Sequence, residues 1–219
     1  YISGGLAGAV TAHAYLRLAN NLTGFSSNLP VVVISSYGTG SPPSTGSTSR
    51  KTVSMLFFEP DPETGRTRLT RDPVISTRAG VRRRGSSSGN WPKYSLAVET
   101  WREGDDEERN IEPLGLPREA DWILNARYEW DLTLLRNPFV YEISRQIGRY
   151  APRTRFVEVF SDTSGTDVSN SDYFGVYSLI EKIERDPNRV DIEPLREWED
   201  AEPEIRGGYI FKNDRPDPG

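Results

Sequence analysis

The sequence has no cysteine, and only one histidine and one methionine among its 219 residues. Without thiols there are no disulfide staples, thiolate nucleophiles or cysteine metal sites. That absence fits a reducing cytosol or an exported protein that avoids cysteine. With His13 as the only imidazole, the chain has no material for a serine–histidine triad or a histidine-based zinc site. No apolar run approaches the ~20 residues of a spanning helix, so no membrane span is expected. Excess positive charge is missing as well: a net charge of −5 and a pI of about 5.1 supply no global field for nucleic acid or anionic lipid. Partners must therefore be read from local features.

What is present is the composition of a folded protein. The 35% of hydrophobic residues can build a core, and 11% aromatics with five tryptophans oppose disorder. The length admits one large domain or two small ones, and one is the simpler expectation. The chain opens on Tyr1 and closes on "DRPDPG", so both ends are expected to be cut from a longer polypeptide. Residues 1–28 read as the tail of a preceding segment.

Hydrophobic period and breakers predict the elements. "LPVVVISS" (29–36) is a buried, β-branched strand, and "YGTGSPPSTGSTSR" (37–50) is a loop. "KTVSMLFFE" (51–59), the turn "PDPETGRT" and "RLT" read as a hairpin. Further strands are expected in "STRAGVRR", "KYSLAVETW", "ADWILNAR", "TRFVEVFSD", "DYFGVYSLIEKI" and "GGYIFKND". One principal helix is predicted over 131–148, with an apolar stripe through Leu134, Leu135, Phe139, Ile143 and Ile147 and a stop at Gly148. Pro138 either kinks it or sits at its first position behind Asn137. The class predicted is α+β, mainly antiparallel sheet with that one helix.

The stretch "GVRRRGSSSGNWPKYSLAVETW" (80–101) carries the most specific chemistry. A Gly/Ser loop between strands exposes backbone N–H groups to an anion, and arginines add forked donors suited to phosphate. Lys93 shares a face with Ser95 and Ala97, whereas Tyr94, Leu96 and Val98 point into a core, so the lysine should border a cleft. The bland alternative is a solvated basic hairpin. Such a lysine needs a carboxylate mate, for which Glu142 on the predicted helix and Glu181 at the end of the row Tyr177, Leu179 are the candidates. Acidic stretches such as "DTSGTD" (162–167) lack the spacing of a calcium loop and read as turns.

Five blocks, "RRRGSSS…WPKYSLAVETW", "LGLPREADWILNARYEWDLTLLRN", "YEISRQIGRYAPRTRFVEVF", "YFGVYSLIEKIERDPNRVDI" and "GGYIFKNDR", occur in an order that resembles the spore-coat protein H (CotH) kinase-like family, from about Leu29 to Asp214. The resemblance implies an atypical protein-kinase-like N-lobe over 29–206, with 207–219 beginning the connection to a second lobe. It also implies ATP and a divalent metal such as Mg as cofactors, and phosphorylation of Ser/Thr hydroxyls on a protein substrate. A spore-coat, cell-surface or extracellular setting goes with it. On that pattern Arg82, Arg84, Gly85, Ser86, Ser87 and Lys93 belong to the nucleotide site, with Glu142 or Glu181 orienting the lysine. Arg136, Asn137 and Lys182 match further signatures. The family's catalytic and metal-binding aspartates are expected beyond Gly219, Asp214 and Asp217 lacking their context, so these residues alone are expected to be inactive. The competing expectation is a β-rich extracellular binding or structural module without chemistry.

Overall fold

A computed structural model describes residues 15–126, 128 and 131–211. Contacts divide the chain into a unit through Lys182 and a second unit, Ile183–Gly219. In the first, β-branched and aromatic runs become seven strands: β1 Val31–Ser35, β2 Lys51–Phe58, β3 Ile75–Arg84, β4 Ser95–Trp101, β5 Asp121–Asn125, β6 Thr154–Asp162 and β7 Tyr173–Glu181. They close into a barrel in the order β1-β2-β3-β4-β5-β7-β6. Every neighbouring pair is antiparallel except β1 and β6, whose parallel ladder runs from Val31 opposite Glu158 to Ser35 opposite Asp162.

The barrel is filled rather than hollow. Inward residues from every strand, among them Val32, Met55, Val81, Leu96, Trp122, Val159 and Tyr177, form one buried cluster, as expected where so few strands leave room only for side chains. β4 shows the period plainly: Leu96, Val98 and Thr100 are buried and the residues between them half-buried. β1 and β2 are buried on both faces because a second cluster covers their outer side. There Val31, Val33, Leu56 and Phe58 pack with Leu22, Phe160 and Val168, and Leu16, Leu18 and Phe25 close over them. Leu22 is wholly buried, a burial that contributes about 1.5–3 kcal/mol.

This architecture overturns the expected α+β kinase-like N-lobe. Local periodicity reveals each strand but not the pairing of β1 with β6, and that long-range parallel ladder turns a sheet into a barrel. The helix is also not a layer of the fold. Helix α1 spans Arg136–Gln146, shorter than the predicted 131–148, and none of its residues is buried. Leu134 takes a left-handed φ of +60°, which ends helical geometry before it begins. Asp131 accepts the backbone N–H of Arg136 at 3.0 Å and satisfies one donor of the first turn. Pro138 is thus the third helical residue, and Gly148 at φ +78° stops the chain as expected. Of the predicted apolar stripe only Leu134, which precedes the helix, is buried; the rest faces solvent, with Phe139 64% and Ile147 71% exposed.

Two smaller expectations also fail. "RLT" forms no strand with β2, and residues 207–211 are irregular rather than extended in a ladder. In the second unit the described regular structure is one short 3-10 turn, Glu204–Arg206, with Trp198 and Phe211 exposed. Among the described residues no helix is long and apolar enough to cross a membrane. His13, Asp214 and Asp217 lie outside the described residues.

Candidate nucleotide-binding cleft

The connection from β3 to β4 reverses on a glycine. Gly85 adopts φ +113°, a backbone conformation that residues with a side chain rarely take, and a Cβ there would lie 2.3 Å from Ser88 Oγ, which would have to move. A 3-10 turn, Ser87–Asn90, follows, and the chain bends through residues 91–93 before β4 begins at Ser95. The turn and the start of β4 enclose an open cleft of ≈ 460 Å³. Arg84, Gly85, Ser87, Ser88 and Trp91 from the turn line it together with Lys93, Ser95, Asn125 and Ala126.

Lys93 is half-buried, on the outer face that Ser95 also occupies, while Tyr94 points into the barrel core. Its ammonium donates to the Val176 carbonyl at 2.6 Å and rests 4.8 Å from the centre of the Tyr177 ring. The bulge in β7 permits this approach. Gly175 sits there at φ +100°, and a Cβ on it would come within 3.3 Å of Lys93 Nζ. Tyr177 is itself fixed through a hydrogen bond from its hydroxyl to the Tyr94 carbonyl at 3.0 Å. Burial holds the Lys93 pKa below the usual lysine value. An ammonium has three donors and the carbonyl takes one, so the others can serve an anion in the cleft.

Neither candidate carboxylate is the lysine's mate. Glu142 is exposed on α1, where hydrogen bonding to Arg145 and then to Gln146 lowers its pKa. Glu181 is wholly buried and takes Arg153, accepting its backbone N–H at 2.7 Å and pairing with its guanidinium at 2.9 Å. The ammonium is held by a carbonyl and a ring face instead, and a backbone acceptor leaves no residue-type signal in a sequence. Arg82 is also drawn away, toward the Ser47 carbonyl at 3.4 Å. Ser86 precedes the turn without lining the cleft. Of the expected set, Arg84, Gly85, Ser87 and Lys93 come together.

Sequence reading missed Ser88, Trp91, Asn125 and Ala126. Asn125 arrives through register: Leu96 lies opposite Leu124, which places Ser95 beside Asn125, and Ser95 Oγ donates to Asn125 Oδ1 at 3.3 Å. Trp91 could have been suspected, since it is an aromatic two residues before the lysine.

No carboxylate is among the described residues that line the cleft. One acidic group outside the cleft, Glu99, Glu108 and Asp121, has carboxylate oxygens within 4.8 Å of one another. Glu99 is six residues past Lys93, about 20 Å along a strand. Burial and the charges of Asp121, Glu99 and Glu119 raise the Glu108 pKa. Arg50 at 2.8 Å from Glu99 and Lys182 at 2.7 Å from Asp121 pair with two of its three carboxylates.

The cleft suits a polyphosphate: it has the volume of a small-ligand site, one tethered ammonium, an arginine on its rim, and a glycine turn that lets backbone approach. A search of curated proteins gives no match. A family model described as CotH kinase protein matches residues 81–216, more than half of the chain and the part that holds Lys93 and the glycine turn. The chain therefore belongs to the CotH kinase protein family.

Proposed function

We propose that the Lys93 cleft binds the phosphates of ATP, and that the protein serves phosphoryl transfer to Ser/Thr hydroxyls of a protein substrate. Bound ATP with a divalent metal such as Mg would supply the transferable phosphoryl group. The protein's described residues do the binding. Lys93 donates to phosphate oxygens from a fixed position, Arg84 adds charge at the rim, and Gly85 keeps side-chain bulk out of the turn. Preorganisation matters here, because an ammonium already held by Val176 and Tyr177 loses little freedom when the anion arrives. The family description supports the kinase reading, and the same resemblance supports a spore-coat or cell-surface setting. The observation that carries the proposal is the tethered, half-buried Lys93 beside the glycine turn.

One observation favours a second reading for this part of the protein. The described lining has no carboxylate to act as base or metal ligand, so the cleft fits phosphate binding without turnover, as in a scaffold. Titration of the protein with MgATP tests the binding common to both. Replacing Lys93 by Ala removes charge-assisted hydrogen bonds of about 1.5–3 kcal/mol, a roughly ten- to hundredfold loss of affinity. Equal affinity of Lys93→Ala and wild type would remove the lysine from the site. Phosphate appearing on an added protein only with wild type separates the kinase from the scaffold.

A further inference from the structure

One wall of the cleft is not used by phosphate. Trp91 lines it two residues before Lys93, with Pro92 between them restricting the backbone. Trp91 is half-buried. Its backbone N–H donates to the Ser88 carbonyl at 3.4 Å, which ties the main chain here to the turn that follows Gly85. Its ring meets that of Tyr128 at 6.3 Å, tilted by 50°. Elsewhere in the lining, Ser95 Oγ donates to Asn125 Oδ1 and accepts the Ala126 N–H at 3.0 Å, so that hydroxyl and that amide oxygen, which could read a base edge, are already engaged. The cleft thus pairs a cationic lysine with an aromatic ring and has part of its polar lining spent on internal bonds.

We infer that Trp91 is the platform on which the nucleobase stacks, so that the cleft distinguishes a nucleotide from free polyphosphate by ring contact and barely distinguishes adenine from guanine. This rests on the phosphate reading above. Every base has a π-face, so stacking is tolerant of sequence, whereas selection between purines needs hydrogen bonds at their edges. Lys93 and Trp91 are two residues apart, so their backbones are separated by at most about 7 Å. Side-chain reach adds enough length for a sugar to lie between the phosphates and the ring.

The test is calorimetric titration of wild type, Trp91→Ala and Trp91→Phe with ATP, GTP and inorganic tripolyphosphate, each without metal. Wild type should bind ATP and GTP within about fivefold of each other and tripolyphosphate more weakly. Trp91→Ala should weaken both nucleotides roughly five- to a hundredfold while leaving tripolyphosphate unchanged, and Trp91→Phe should retain most nucleotide affinity. An equal loss for tripolyphosphate and ATP in Trp91→Ala, or no loss for either, overturns the stacking role and leaves the phosphate site standing. Strong preference for one purine also overturns it. If wild type binds none of the three, the phosphate reading itself falls, and this inference with it.

Discussion

Glu181 offers a sharp test, because sequence pattern and structure give it different partners. If it oriented Lys93, its loss would weaken nucleotide binding; held by Arg153, its loss should weaken the barrel alone. Its side chain is wholly buried at the end of β7, while Arg153 is 37% exposed. Removing one member of a fully buried pair costs about 3–5 kcal/mol, because a charge is stranded. Here the stranded guanidinium can recover water, so Glu181→Gln, whose amide oxygen can still accept the Arg153 N–H, should cost only about 1–2 kcal/mol. Glu181→Ala strands that N–H as well and opens a cavity, so about 3–5 kcal/mol is expected. Urea unfolding followed by circular dichroism measures both, and the midpoint should fall in that order with unchanged slope. ATP titration of Glu181→Gln should match wild type within about twofold. A glutamine variant of wild-type stability that binds ATP tenfold more weakly would refute the assignment and return Glu181 to the lysine.

Other outcomes follow from single contacts. Gly85→Ala should cost about 1–2 kcal/mol for its positive φ and must also displace Ser88, so ATP affinity should drop with stability; unchanged urea and ATP titrations would show that the turn is not glycine-dependent. Asp162 is buried, and although burial opposes its ionisation, hydrogen bonds from Ser35, from Ser164 and from the Gly165 N–H hold its pKa below that of an ordinary aspartate. A depressed carboxyl stabilises the fold above the unfolded pKa and loses that contribution on acidification. The deficit of Asp162→Asn, about 1.5–3 kcal/mol near neutral pH, should therefore persist at pH 6 and shrink below about pH 3.8; a deficit independent of pH down to 2 would contradict it.

Much of the barrel was written in local pattern. The alternation of Leu96 and Val98 with Ser95 and Ala97 showed which face of β4 is buried, and the β-branched run at 31–34 announced a buried strand. Closure was not legible, because no periodic feature of β1 points to β6. Nor could the pattern show that α1 lacks a covering surface: Phe139, Ile143 and Ile147 recur as a core-facing stripe would, yet all three are exposed. In the cleft, residue type and spacing found Gly85 and Lys93. The lysine's partner was missed because it is the main chain of Val176, brought near by Gly175 at the bulge rather than by any acidic side chain.

The most direct measurement is affinity labelling by an adenosine carrying an amine-reactive sulfonyl fluoride, with the modified lysine found by peptide mass spectrometry. The sequence has four candidates, Lys51, Lys93, Lys182 and Lys212. Burial lowers the Lys93 pKa and so enriches its neutral, nucleophilic form. Labelling should fall on Lys93 and be suppressed by excess ATP. Label on Lys51 or Lys182 with Lys93 intact, or Lys93 modified equally with and without ATP, would contradict a nucleotide site at this cleft.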